Sequence, residues 1–247
     1  MRIDLNADVG EGFEDDEALI PLVTSVNVAC GAHAGDGETI ARTIERAMAA
    51  GAAVGAHPSY PDRDGFGRRE MRLSPADLRA TLVEQIRAVA EAAHAAGSAL
   101  RHVKPHGALY NVAARDPDIA AIVAGAVRAI SPDLVLVGLA GSASLDAARA
   151  AGLAVAAEAF ADRRYEPDGR LRDRRHPDAL IDDPAAAGEQ AVAIVRDGRV
   201  TAIDGTPVVV AAESLCVHGD QPGAAARARG VRVALEAHGV ELRALRW

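Results

Sequence analysis

The sequence predicts an α/β fold, a (β/α) barrel of seven or eight strand–helix units that runs through residues 1–247 as one domain. Three observations lead there. Short apolar runs alternate with longer stretches of helical period, which implies parallel strands joined by right-handed crossovers. The length, 247 residues, is long for an ordinary domain and normal for a barrel. The third is the placement of polar residues. Asp8, His33, His57, His106, Asp162 and His218 each fall at, or just past, the C-terminal end of a different apolar run. In a closed barrel those ends share one face, whereas an open sheet unites only the strands at its switch point.

The strands are expected at Arg2–Asp8, Ser25–Gly31, Ala53–His57, Leu100–His106, Leu134–Gly141, Leu153–Asp162 and Glu213–Gly219. Helices are expected at Glu38–Ala50, Pro75–Ala96, Pro117–Ile130, Ser142–Ala151, Pro184–Arg196 and Gly223–His238. Ser74-Pro75, Asp116-Pro117 and Asp183-Pro184 each place a capping side chain before a proline at the first helical position. Gly51, Gly97 and Gly152 stop helices. Arg199–Ile203 and Pro207–Val210 flank Asp204-Gly205 and read as a small hairpin. Val240–Trp247 is either an eighth strand or a closing tail. Pro58–Met71 and the arginine-rich Arg163–Pro184 are loops. The second is a solvated segment, a phosphate site or a docking surface.

Composition narrows the function. A formal net charge of -8 argues against a nucleic-acid partner. Two distant cysteines, Cys30 and Cys216, give no disulfide framework and suggest a reducing compartment. With no signal-type N-terminus and no long apolar run, a cytoplasmic protein is expected and no membrane association. The chain holds 26 arginines, 56 alanines and a single lysine, Lys104, a bias that makes the rare residues informative. No GxxxxGK[ST] or GxGxxG run occurs, so no standard nucleotide loop is present.

Six segments carry chemistry. In Asp4–Phe13 (DLNADVGEGF), strand alternation puts Asp4, Asn6 and Asp8 on one face, with Glu11 in the loop above. That face is either the barrel interior or a solvated edge; the neighbouring motifs favour the interior. Asn27–Asp36 (NVACGAHAGD) brings His33 on a small-residue turn, with Asp36 a helix cap and Cys30 an inert buried thiol. Gly55–Tyr60 repeats the design with His57. His102–Asn111 places His102, Lys104 and His106 on one face, followed by Tyr110 and Asn111. Inward basic groups need a charged partner, so Lys104 faces Asp4, Asp8 or a substrate carboxylate. Glu158–Tyr165 and Cys216–Asp220 complete the ring with Asp162, Arg163 and His218. His94, His176 and His238 lack such company and read as surface residues. Asp8, Glu11, His33, His57, Lys104 and His106 are the expected catalytic set. Asp4, Asn6, Tyr110, Asn111, Asp162, Arg163 and His218 are the expected substrate contacts.

These stretches, with GAHPSYPDRDGFGRR, VKPHGALYN, EAFADRRYEPDGRL and CVHGD, occur in order from Asp4 to Asp220. Together they resemble the LamB/YcsF family, the A subunits of ATP-dependent 5-oxoprolinase. The resemblance implies a distorted TIM-like barrel of the glycoside hydrolase and deacetylase type. It implies a complex with two partner subunits that opens 5-oxo-L-proline to L-glutamate with ATP hydrolysis, the ATP site being on this chain, shared, or on a partner. Ala32 stands where the family pattern leads one to expect an aromatic, which affects local pocket shape. A homo-oligomer is compatible with all of this. Related deacetylases hold a divalent metal through one Asp and two His, which here would be Asp8, His33 and His57, although no compact HxxxH pair is present. Two other readings stay open: a stand-alone metal-dependent deacetylase or amidohydrolase, and a non-catalytic substrate-binding subunit.

Overall fold

The computed structural model describes residues 1–245; Arg246 and Trp247 lie outside the described residues. In chain order the elements are β1 (Arg2–Val9), α1 (Asp16–Leu19) with a 3-10 turn (Ile20–Leu22), β2 (Ser25–Ala29), α2 (Gly37–Ala50), β3 (Ala53–His57), α3 (Pro75–Ala95) and β4 (Leu100–Val103). There follow α4 (Gly107–Arg115), α5 (Pro117–Ile130), β5 (Val135–Leu139), α6 (Ala143–Ala150), β6 (Ala154–Phe160) and α7 (Pro184–Asp197). The chain ends with β7 (Arg199–Thr201), β8 (Pro207–Val209), β9 (Ser214–Val217), α8 (Ala224–Ala237) and β10 (Glu241–Leu242).

Strands β1 to β6 pair in order, β6 pairs with β9, and β9 pairs back onto β1, so seven parallel strands close a barrel. The strands begin and end within a few residues of the expected bounds. β10 pairs only with Arg2 and Ile3 at the bottom of β1, so it extends the sheet there without joining the ring. β7 and β8 form the expected antiparallel hairpin outside the barrel.

Period two along β1 separates two environments. Ile3, Leu5, Ala7 and Val9 join the main apolar core, between barrel and helices. Asp4, Asn6 and Asp8 point to the other side, and their bonds to Ser25, Asn27, Glu158, Lys104 and Ser214 identify it as the barrel interior. Beside β5 and β6 the interior is instead apolar: Val135, Val137 and Ala156 pack together, with Leu245 of the tail against them.

The helices start where the sequence puts their caps. Ser74, Asp116 and Asp183 accept from backbone N–H groups of α3, α5 and α7. Asp36 does the same for α2, which is the role expected for it. The short helix α4 was not expected: the strand read through to His106 stops at Val103, and a helix begins at Gly107. Pro105 lacks the N–H that would continue the ladder. Ala108, Leu109, Tyr110, Val112 and Ala113 are all buried, so α4 has too little polar face to betray its period. None of the described helices is long and apolar enough to cross a membrane.

Candidate active site

The interior side chains form layers stacked toward the C-terminal ends of the strands. In the lowest, Asp4 accepts from Thr24 Oγ1 at 2.7 Å, Ser25 Oγ at 2.6 Å and Ser214 Oγ. In the next, Asn6 donates to Glu158 Oε1 at 2.9 Å and accepts from Asn27 Nδ2 at 2.8 Å. Asn27 in turn accepts from His102 Nε2 at 2.8 Å. Asp4 and Asn6, expected to touch substrate, are thus fully engaged below the mouth.

Lys104 occupies the layer above. Its ammonium lies 3.0 Å from Asp8 Oδ1, 2.9 Å from Glu158 Oε1, 3.1 Å from Cys216 Sγ and 3.3 Å from Asn6 Oδ1. Three N–H donors among four acceptors leave none for a substrate carboxylate. The pairing with Asp8 matches one of the partners expected from sequence. Burial opposes the charge on each, but the mutual attraction outweighs it. Asp8 is held well below the usual carboxylate range, with His57 and Lys104 the main causes. Lys104 is raised well above the usual amine range by Asp8, Cys216 and Glu158.

At the mouth, Glu11 and three histidines gather around Asp8. His57 Nε2 lies 3.3 Å from Asp8 Oδ2 and 3.0 Å from His106 Nδ1. Glu11 Oε1 lies 3.1 Å from His33 Nε2 and 3.3 Å from His106 Nδ1. The His33 and His106 rings stack with centroids 3.9 Å apart. Burial, reinforced by the charge on Asp8, raises Glu11 well above the usual range. Burial pushes His33 down to about 3, holds His106 well below its ordinary value, and takes His102 down to about 3.

Across the mouth Asp162 accepts from both the backbone N–H and Nδ1 of His218, at 2.8 and 2.9 Å. Burial alone would raise Asp162, but His218 and its hydrogen bonds bring the carboxyl down to about 2. His218 stacks on Phe160 at 5.3 Å between centroids. The rim is closed by two long loops: Arg68 from the loop after β3 and Arg174 from the loop after β6 both donate to Asp220. Beside the mouth a cleft of about 510 Å³ is lined by Glu11, Phe13, His33, Phe66 and Arg63 among others. Asp8, His57 and Lys104 lie outside its lining.

All six residues of the expected catalytic set therefore meet in one region. Three expected substrate contacts besides Asp4 and Asn6 sit differently. Asn111 is exposed on α4, turned away from the interior by the helix that sequence reading missed. Arg163 is buried and donates to the Ala179 and Arg172 carbonyls, so it ties down its own loop. Tyr110 is buried beside Glu158, and burial with that carboxylate nearby raises its phenol well above the ordinary range. The metal set expected from resemblance is also divided. Among the described residues, donor atoms within 4.8 Å of one another group as Asp8 with His57 and His106, as Glu11 with His33 and His106, and as Asp8 with Cys216 and His218. Glu158, Asn27, Arg68, Arg174 and Asp220 escaped the sequence reading as site residues. Glu158 lies two positions before Phe160 on an inward-facing period, which was a usable signal. Arg68 lay in a motif and Arg174 in an arginine-rich loop already noted, but nothing local singles out either side chain among its neighbours.

Comparison with known proteins agrees with this architecture from end to end. A protein of Chloroflexus aggregans that bears the name of the 5-oxoprolinase A subunit is 59% identical, over 98% of each chain. One of Methylococcus capsulatus with the same name is 54% identical, over 98% of this chain and 95% of its own. The crystal structure of the lactam utilization protein from Thermus thermophilus superposes with a TM-score of 0.93 at 46% identity, covering 99% of this chain and 100% of that one. A putative cellobiose-phosphate cleavage protein from Enterococcus faecalis, 13% identical with a TM-score of 0.57 over 98% of this chain and 96% of its own, shares the fold alone. The model of the LamB/YcsF family matches residues 3–247, and the chain belongs to that family.

Proposed function

We propose that this chain is the A subunit of an ATP-dependent 5-oxoprolinase, which opens 5-oxo-L-proline to L-glutamate in the cytoplasm together with partner subunits. The observation that carries the reading is the near-complete coverage of this chain by relatives bearing that subunit name at 50–59% identity. The geometry supplies groups that such a reaction needs.

A five-membered lactam is a stable amide. Phosphorylation of its oxygen by ATP makes the carbonyl carbon a better electrophile, and the sequence has no phosphate loop of its own, so ATP is met with the partner subunits. Water then adds to that carbon, the ring nitrogen gains a proton as the C–N bond breaks, and the acyl phosphate so formed is hydrolysed by a second water to L-glutamate and inorganic phosphate. His218 suits the proton transfers. Its Nδ1 is fixed on Asp162, none of the described hydrogen bonds engages Nε2, and the ring stands within 4.8 Å of Asp8. Asp8, ionised against Lys104, orients the water or stabilises positive charge beside it. The anionic groups of substrate and phosphate fall to Arg68 and Arg174, which reach the rim from opposite loops and share only Asp220 there. A guanidinium fork fits a carboxylate or phosphoryl group better than the enclosed Lys104 does.

The test is 5-oxoproline-dependent ATP hydrolysis, measured with this chain alone and after co-purification with the products of neighbouring genes. Turnover is expected only in the assembly. Glutamate formation by the isolated chain, or an active assembly in which His218→Asn retains full kcat, would overturn the corresponding part of the reading.

A further inference from the structure

The groups assigned to the reaction are shut away from solvent. The side chains of Asp8, His57 and His218 are 11, 1 and 9% exposed. The cleft beside the mouth is lined by Glu11 and His33 but by none of those three. A lactam therefore meets Asp8 and His218 only after part of the rim moves aside. The two long loops of the rim are anchored differently. The loop after β3 is fixed from several directions. Arg63 donates to the carbonyls of Gly31 and Gly35, both at 2.9 Å. The Gly67 carbonyl accepts from Ala108 N–H at 2.9 Å, and that of Phe66 accepts from His106 Nε2 at 2.9 Å. The loop after β6 is pinned at its base, where Phe160 N–H donates to the buried Tyr165 Oη at 2.8 Å and Arg164 N–H to the Ala179 carbonyl at 3.0 Å. Its tip, residues 173–178, bonds mainly to itself and its own loop: Arg175 to Asp173, and Arg172 to Asp178. Asp173, Arg175, His176, Pro177 and Asp178 are exposed, and Arg174 alone reaches inward. Among the described hydrogen bonds, the one from Arg174 to Asp220 is the only one that ties this tip to anything outside its loop.

That single tie spans the mouth. Strands β3 and β6 are separated by β4 and β5 on one side and by β2, β1 and β9 on the other, so their loops face each other across the ring. Arg68 and Arg174 both donate to Asp220 Oδ2, each through one nitrogen. Neither makes the two-pronged pairing that a carboxylate offers to arginine. The two side chains are 42 and 28% exposed, and ion pairs open to water in this way are weak. We propose that residues 173–178 form a flap over the barrel mouth, latched by Arg174 on Asp220, and that the carboxylate of an incoming lactam releases it by taking Arg174 from Asp220. The flap follows from the geometry of the chain, whereas the identity of the releasing anion rests on the functional reading above. Asp220 is then a positioning residue. It keeps both guanidiniums at the mouth of the free chain and competes with substrate for them. An anion that pairs with Arg174 only when the latch is undone shifts the balance toward the open form.

Two measurements separate the parts of the proposal. In the full isolated chain, diethyl pyrocarbonate acylates accessible imidazoles above their titration range, and mass spectrometry reads each histidine. Exposed His94 serves as the internal reference. Arg174→Ala and Asp220→Asn should each speed labelling of His218 by roughly threefold to fivefold, the shift in population that such an ion pair controls. His33, beneath the anchored loop, should keep its wild-type rate. Unchanged labelling of His218 in either variant, or a rise at His33 as large as that at His218, would overturn the flap. In the assembled enzyme the two halves of the latch should act differently on KM for 5-oxo-L-proline. Arg174→Ala raises it by about tenfold or more, as loss of a charged hydrogen bond does. Asp220→Asn removes the competitor and lowers KM or leaves it unchanged. A rise in both variants marks a merely structural pair and would overturn the exchange. A wild-type assembly without turnover, with the labelling pattern as expected, would refute the functional reading and leave the flap standing.

Discussion

Lys104 answers a question its rarity raised. The sequence marked it as the one lysine beside 26 arginines and asked for a charged partner, and the structure encloses its charge among Asp8, Glu158, Asn6 and Cys216. Its role is to hold the interior together and to keep Asp8 ionised. Lys104→Met leaves two buried carboxylates without their cation, a class of change that costs ~3–5 kcal/mol. The expected outcome is a markedly lower urea midpoint in the isolated chain, and an unchanged midpoint would refute the enclosed-ion account. Lys104→Arg keeps the charge but adds bulk to a closed interior, for which ~1–3 kcal/mol of overpacking is typical. The rim arginines behave in the opposite way. Arg68 is substantially exposed, so Arg68→Ala should leave the urea midpoint within ~0.5 kcal/mol and act on KM in the assembled enzyme. A variant with unchanged KM for both substrate and ATP would remove Arg68 from substrate binding.

The elements were legible to different degrees, and the reasons are physical. Barrel strands and capped outer helices announce themselves through period two, period 3.6 and Asp-Pro or Ser-Pro starts, all of which are local. The polar face of β1 was equally plain, because Asp4, Asn6 and Asp8 alternate with Leu5 and Ala7. What could not be read is pairing at a distance. Which layer Asn6 occupies, and that Glu158 reaches Lys104, depends on register between strands about 50 to 210 residues apart. Helix α4 hid because it is buried on nearly every side, and its absence from the reading put Asn111 in the wrong place. Strand β3 carries a prediction of the same kind. A Cβ on Gly55 would collide with the His102 ring, which itself holds Asn27. Gly55→Ala should therefore cost ~1–3 kcal/mol or more and displace His102, although alanine suits a strand better than glycine does. Denaturant unfolding of this variant beside Gly97→Ala, where nothing lies within 4 Å of the added carbon, separates steric cost from backbone cost, because Gly97 has a φ of +79° and Gly55 does not.

On the scale of the whole molecule, stability is divided between an apolar shell outside the barrel and a charged network inside it. The shell responds weakly to pH, whereas the network contains carboxylates that must stay ionised. Asp162 is the clearest case, since its partner His218 brings it to about 2 from an ordinary 3.8. A depressed carboxyl contributes stability that is fully present above the unfolded value and disappears as pH falls through the folded one. The contribution is roughly 2 kcal/mol, lost between about pH 4 and pH 2. Burial also lowers His218, which acts in the same direction, because acid must charge a ring the fold prefers neutral. Melting temperatures from pH 5 to pH 2.5 should fall less steeply in Asp162→Asn than in the wild-type chain. Parallel slopes would show that this pair does not drive acid unfolding.

The interlocked interior also limits how such a chain can change over time. Asn6 touches Asn27, Glu158, Ser214 and Lys104, and Asn27 touches Asp8 and His102. Replacing any one of them strands a buried partner, so a tolerated alternative has to arrive through several coordinated substitutions and a poorly stable intermediate. In a chain with arginine at 26 of 27 basic positions, the one lysine and two of the three asparagines thus sit where substitution is most constrained, inside the barrel.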